Sequence, residues 1–280
     1  MIDTKDKYCL GRSQKESERL DAQHRLLTRI SDNTLIHPSI AKDAVFSVAD
    51  VGTGTGIWLK DVAAAMDETQ RCYYHGFDIS ADQFPSEKPG ANIDFSVHDI
   101  TLPFPEEHWN RYDVVHVRLL VAALEESDYK TAVSNLSAIL KPGGFLQWEE
   151  LDEETYISED NPVIWEIRRC FNYSFQAEGK CHAASAKVYE ECKAAGFLDA
   201  VRVTYRSDSI QDDDLRQDTD ERLAAIIDSL YTRLLFRSGQ VADKEAAGQR
   251  AGTLIEQHWR LCQEGRSPPL KVMRVVARKP

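Results

Sequence analysis

Ala44-Val45-Phe46-Ser47-Val48-Ala49-Asp50-Val51-Gly52-Thr53-Gly54-Thr55-Gly56 is the stretch that decides how this chain is read. It has the pattern of a short buried strand that ends on an acid and runs into a glycine-rich turn. Leu59, Val62, Ala63 and Met66 follow at helical spacing, so a helix is predicted directly after the turn. Glycines at alternate positions let the backbone approach a ligand where a Cβ would collide. The first turn of the helix presents unpaired N–H groups above the strand end. Together these features predict a nucleotide-type binding site.

Spacing separates the candidate ligands. The dinucleotide fingerprint G-x-G-x-x-G, counted from Gly52, would need a glycine at position 57, which is Ile57. The pattern is instead D-x-G-x-G-x-G, with Asp50 on the strand just before the glycines. A carboxylate there repels a pyrophosphate and suits a ligand that carries an ammonium and a sulfonium. The expected cofactor is therefore S-adenosylmethionine (SAM), not a nicotinamide dinucleotide.

The next strand, Cys72 to Asp78, again ends on an acid, about 20 residues past the turn, where a carboxylate can accept from ribose hydroxyls. Ile79 is placed to lie against adenine. A third strand, Ile93 to Val97, leads to Asp99 and Ile100, a candidate acceptor for the adenine amino group and its apolar neighbour. Tyr112 to Val117 is nearly continuous in apolar residues, as a parallel strand covered on both faces should be. His116 and Arg118 sit near its carboxyl end, Arg118 as a candidate cofactor-binding residue. A helix with Tyr129, Val133, Leu136 and Leu140 precedes a fifth strand, Phe145 to Trp148. Such alternation predicts a doubly wound, Rossmann-like α/β sheet with ligands outside the strand carboxyl ends.

On the amino-terminal side, Ser13 and Glu16 form a capping box for a helix to Ile30, expected to close over the ligand together with Tyr8. Ser31 to Asp43 reads as a plain connector. Beyond residue 150, helices and two last strands (Val201 to Tyr205, Lys271 to Ala277) predict a seven-stranded sheet with an antiparallel last strand and a helical cap. The expected organisation is an amino-terminal lid over 1–43, a cofactor-binding core over 44–150, and core strands with substrate-cap insertions over 151–280.

The 46 acids against 34 Lys plus Arg give a net charge of −12, so no nucleic-acid partner is expected. No apolar run would span a membrane, and the polar start of the chain argues against a signal peptide. Six scattered cysteines without a C-x-x-C pair read as reduced thiols of a cytoplasmic protein. No metal site is expected, because the histidines show no H-x-x-x-H or comparable spacing. A small-molecule substrate is the expected partner, with a homodimer as the candidate assembly.

Asp50 to Gly56, Asp78, Asp99 and Lys141-Pro142-Gly143-Gly144 resemble the motif series of class I SAM-dependent methyltransferases. Tyr8 to Arg12, Glu16 to Leu20, Gln23-His24, Gly76 to Ser80 and Val115 to Leu120 look like the fungal secondary-metabolism branch. That branch holds N-methyltransferases of gliotoxin-type clusters and the LaeA-like regulators. The resemblance covers about residues 8–150. It implies that Gly52, Thr53 and Gly54 hold the methionine part of SAM, that Asp78 binds ribose, and that Asp99 contacts adenine. It also implies that Asp50 orders the loop and the SAM ammonium.

In-line transfer from a sulfonium mainly needs an aligned nucleophile. A base adds to this, and His116 and His24 are the candidates. Tyr8, Trp148, Phe171 and Phe175 are expected to wall the substrate pocket. The expected reaction is methylation of an N or O atom of a small apolar metabolite. The alternatives are a SAM-binding pericyclase or dehydratase on the same fold, and a LaeA-like regulatory protein.

Overall fold

The computed structural model describes residues 14–66, 71–87, 89–90, 92–151, 161–181 and 183–280. Tyr8 and the capping residue Ser13 fall outside these, as does the side chain of Phe171.

Seven strands form one sheet in the order β3-β2-β1-β4-β5-β7-β6. They are β1 (Ser47–Val51), β2 (Tyr73–Asp78), β3 (Ile93–Val97), β4 (Tyr112–Arg118), β5 (Leu140–Leu151), β6 (Leu198–Arg206) and β7 (Lys271–Arg278). The first five are parallel, and β7 inserts antiparallel between β5 and β6. The expected sheet is thus present. Every residue of β1 is buried, since helices cover both faces of the sheet centre.

One face packs against α3 (Asp128–Ile139) and α5 (Ala184–Ala194), through Tyr129, Leu136, Val188 and Cys192. The other packs against α2 (Ile57–Ala65), through Trp58, Leu59 and Val62. A second apolar core joins α4 (Pro162–Ala177), the π-helical turn Ile227–Tyr231, α7 (Thr232–Arg237) and α8 (Lys244–Gln263). This is the cap. Helix α6 (Asp213–Ile226) starts on Asp212, whose carboxylate accepts from Leu215 N at 3.0 Å, a good N-cap. Leu215 of α6 then packs with Leu26, Leu27 and Ile30 of α1 (Gln14–Ile30), so α1 and the cap share a seam. Arg29 reinforces that seam through ion pairs to Asp212 and Asp218.

Two local expectations change. Strand β5 begins at Leu140, and Lys141 to Gly144 form an irregularity inside it where the pairing with β4 shifts. A Cβ on Gly144 would lie 3.0 Å from the Tyr112 carbonyl, so only glycine lets this backbone pass. The segment after α1 is more than a connector. Buried Arg274 of β7 donates to Glu149 Oε1 at 2.7 Å and to the Thr34 carbonyl at 2.7 Å. Gln147 donates to the Leu35 carbonyl and accepts from His37 N, both at 2.8 Å. Charged and amide side chains inside the sheet thereby clamp residues 34–37, because each buried polar group must find a partner there.

Candidate active site

A cavity of about 320 Å³ lies over the carboxyl ends of β1, β2, β3 and β4, between α1 on one side and α4 and α6 on the other. Its floor begins at the glycine turn. Gly52 N and Thr53 N both donate to the Phe77 carbonyl, at 2.8 and 3.0 Å, which folds the chain sharply back over β2. Gly52 has φ +77°, and a Cβ there would meet Leu120 Cδ2 at 2.9 Å. Gly56, at φ +72°, is closed to a Cβ by the Phe95 ring at 2.7 Å. The glycines are thus demanded by the turn itself.

Asp50 is 3% exposed and both its oxygens are engaged. One accepts from Thr53 Oγ1 at 2.7 Å, the other from His116 Nδ1 at 2.7 Å. This acid therefore orders the loop, and the loop's own residues saturate much of its accepting capacity. Asp78 Oδ2 accepts from Gly54 N at 2.9 Å, and Oδ1 takes a longer bond from Ser80 N at 3.3 Å. Burial pushes the Asp78 carboxyl above its ordinary range, against the pull of those N–H groups. A carboxylate has about four acceptor sites, so capacity for hydroxyl donors on the cavity side remains. Asp99 accepts from Thr101 N at 2.9 Å and from Thr101 Oγ1 at 2.7 Å, a closed turn at the cavity edge. Ile79, 46% exposed, and Ile100, buried, flank it.

Of the two histidines, the structure brings only His116 to the cavity wall. Its ring stacks on Trp58 with centroids 3.7 Å apart. Donation from Nδ1 to Asp50 leaves Nε2 as the accepting nitrogen. That atom has no hydrogen-bond partner among the described residues, the nearest acid being Glu149 Oε1 at 3.9 Å. His24, on α1, is fully buried. Its Nδ1 accepts from Arg118 at 3.0 Å and its Nε2 donates to Asp61 at 2.9 Å. Burial and the Arg118 charge hold its pKa below the ordinary value, so it is a neutral tie between α1, β4 and α2. With both nitrogens engaged away from the cavity, His24 is not placed as a base. Arg118 lines the cavity while making that tie.

Phe175 lies on the cavity wall, whereas Trp148 does not. Trp148 points into the main core, with Nε1 donating to Glu150 at 2.8 Å and the Tyr129 ring 5.8 Å away. It sits on a strand covered on both faces, where a large apolar side chain is core by default. The sequence reading missed the segment Leu119 to Leu124, which forms the wall beyond β4. Leu119 adopts φ +57°, and Glu150 accepts from Leu120 N at 3.0 Å and Val121 N at 3.4 Å. Also missed were Gln23 on α1 and Arg168, Asn172 and Ile226 on the cap. The i, i+4, i+7 spacing of Arg168, Asn172 and Phe175 was the available signal, since it puts all three on one face of α4.

Residues 48–144 match the model of the family described as a methyltransferase domain. The β1 to β5 half of the sheet, which carries the glycine turn and the strand-end acids, is thus the part of the chain that is similar to that family. The chain is 45% identical over 154 residues to "Methyltransferase grgD" of a Penicillium species, covering 53% of this chain and 54% of that one. It is 29% identical over 149 residues to "N-methyltransferase gliN" of Aspergillus fumigatus, covering 53% and 51%. The matches thus span about half the length of these curated relatives. A Haloferax volcanii methyltransferase solved with the Trm112 methyltransferase activator superposes with a TM-score of 0.52 at 16% identity, covering 95% of each chain. That likeness extends the fold over nearly the whole chain. Among the described residues no helix is long and apolar enough to cross a membrane.

Proposed function

We propose that the chain is a SAM-dependent methyltransferase acting on an N or O atom of a small, largely apolar secondary metabolite. The observation that carries this reading is the pair formed by Gly54 and Asp78: a glycine-turn N–H holds a strand-end carboxylate at the cavity floor. The residues present fit the cofactor. Gly52 and Gly54, which lack a Cβ, let the backbone on either side of Thr53 approach the amino-acid part closely. Asp78 keeps accepting capacity for ribose hydroxyls, and Ile79, Asp99 and Ile100 make an apolar edge with one acid, suited to adenine. When bound, SAM supplies a methyl group already activated by its sulfonium.

The chain's own contribution is alignment and exclusion of water. The 119–124 wall and α1 enclose the donor side, while Phe175 and Ile226 give the acceptor side its apolar character. His116, whose ring borders the cavity while its Nε2 is buried, is the candidate to take the acceptor's proton once the substrate opens a path to that atom, with Asp50 fixing the tautomer. The similarity to "Methyltransferase grgD" and "N-methyltransferase gliN" supports the reaction class. Calorimetric titration with SAM, followed by incubation of the protein with labelled SAM and a panel of fungal metabolite extracts, tests the proposal. Saturable SAM binding and label transfer are expected; wild-type protein that binds no SAM would refute it.

A further inference from the structure

Three side chains able to ligate a metal meet inside the cap, and none of them lines the cavity. His258 and Cys262 lie one turn apart on α8 and therefore share a face. Asp220 reaches them from α6. One ligating atom from each residue lies within 4.8 Å of the other two. Cys262 Sγ is 3.7 Å from His258 Nδ1 and 3.6 Å from Nε2. For bonds of about 2.1 Å to nitrogen and 2.3 Å to sulfur, a tetrahedral centre spaces those two ligands by about 3.6 Å.

Two further observations concern the availability of the donors. His258 Nε2 donates to the Asp220 backbone carbonyl at 2.8 Å. A carbonyl only accepts, so the ring proton is on Nε2 and Nδ1 keeps its lone pair. Asp220 is 6% exposed, and its Oδ2 accepts from Ser267 Oγ at 2.9 Å. Its Oδ1 is buried without a hydrogen-bond partner among the described residues. Both the imidazole and the carboxylate thus have the outer partner that commonly orients a metal ligand, and each retains a donor atom. The expectation of no metal rested on histidine spacing; the pair His258-x-x-x-Cys262 supplies an equivalent spacing with mixed ligands.

We propose that Asp220, His258 and Cys262 form a zinc(II) site that ties α6 to α8. A sulfur, a nitrogen and one carboxylate oxygen suit zinc better than magnesium or calcium, which take oxygen ligands. Cys262 is half-buried and gives the ion its access route. On coordination the Cys262 thiol proton leaves to solvent. Water fills the fourth position. Helix α6 also carries Ile226 on the cavity wall, so the ion stiffens one side of the acceptor pocket.

The full chain, purified without a histidine tag, is freed of metal with a chelator and titrated with zinc against a chromophoric competitor. Cobalt(II) serves as the optical probe for thiolate ligation. Uptake of about one equivalent per chain, with a cobalt–thiolate charge-transfer band and a rise in Tm, is expected. Cys262→Ser should abolish that band and weaken zinc binding by about 100-fold. Asp220→Asn should weaken it as well. Zinc uptake that is absent in the wild-type protein, or unchanged by Cys262→Ser, would overturn the site. Cys262 is half-buried and serine is close in size, so this variant stays folded where His258→Ala, emptying a buried position, would not. Metal content and the cobalt spectrum are read without any assay of methyl transfer.

Discussion

Replacing Glu150 by glutamine sets two effects of similar size against each other, and pH separates them. Glu150 is fully buried, and all three of its partners are donors: Trp148 Nε1 at 2.8 Å, Leu120 N at 3.0 Å and Val121 N at 3.4 Å. Glutamine can keep its carbonyl oxygen on Trp148 and Leu120, but its amide then faces the Val121 N–H. An unsatisfied buried donor costs about 1–3 kcal/mol. Against this, burial pushes the Glu150 carboxyl from 4.5 up to about 7 despite those three donors. A raised acid favours the folded state fully below the unfolded value and loses that advantage as pH rises through the folded one. Wild-type protein should thus lose about 2.5 kcal/mol between pH 5 and pH 8 from this group, at 1.36 kcal/mol per unit. Tyr129, Cys181 and Glu149 face the same carboxyl, and Glu149 reinforces the upward shift. Glutamine has no such proton. Urea unfolding should therefore show Glu150→Gln clearly less stable than wild type at pH 5 and close to it, or ahead, at pH 8. A difference in stability that is the same at both pH values would refute the reasoning, because it would mean that Glu150 does not titrate in this window.

Asp78→Ala removes the acceptor that joins Gly54 to the cavity, and SAM affinity should fall by about 10- to 100-fold, since hydrogen bonds to a charged group contribute about 1.5–3 kcal/mol each. Calorimetry reads this, with a Tm close to wild type as the control. His116→Asn keeps a donor for Asp50 but removes the accepting Nε2; kcat should drop by about 10²-fold while SAM binding stays within a few-fold of wild type. Unchanged turnover would leave alignment alone to account for catalysis. Arg274→Met strands Glu149 in the sheet, and urea unfolding should show a loss of about 3–5 kcal/mol, whereas the double variant with Glu149→Gln should recover part of it.

The parts of this molecule that sequence reveals are those where a backbone constraint leaves a local mark. Gly52 and Gly56 sit at positive φ with a neighbouring side chain where a Cβ would be, so each is required by its own turn and shows as a pattern. Asp78 and Asp99 are legible for the same reason, since a strand end fixes where the next residue must point. Trp148 and His24 were misplaced because strand and helix positions fix a direction but not what fills the space opposite. Trp148 faces Tyr129 from α3, and His24 faces Arg118 from β4, contacts across 19 and 94 positions that no local spacing encodes. The Leu119 to Leu124 wall was invisible for a related reason. It is an irregular loop held by Glu150, and its shape depends on that one buried carboxylate supplied from the next strand over. The same logic applies to the cap, where His258 and Cys262 are close in sequence but their third companion, Asp220, comes from another helix. Chemistry that depends on a single element can thus be read before folding, and chemistry assembled from several elements emerges only with the contacts between them.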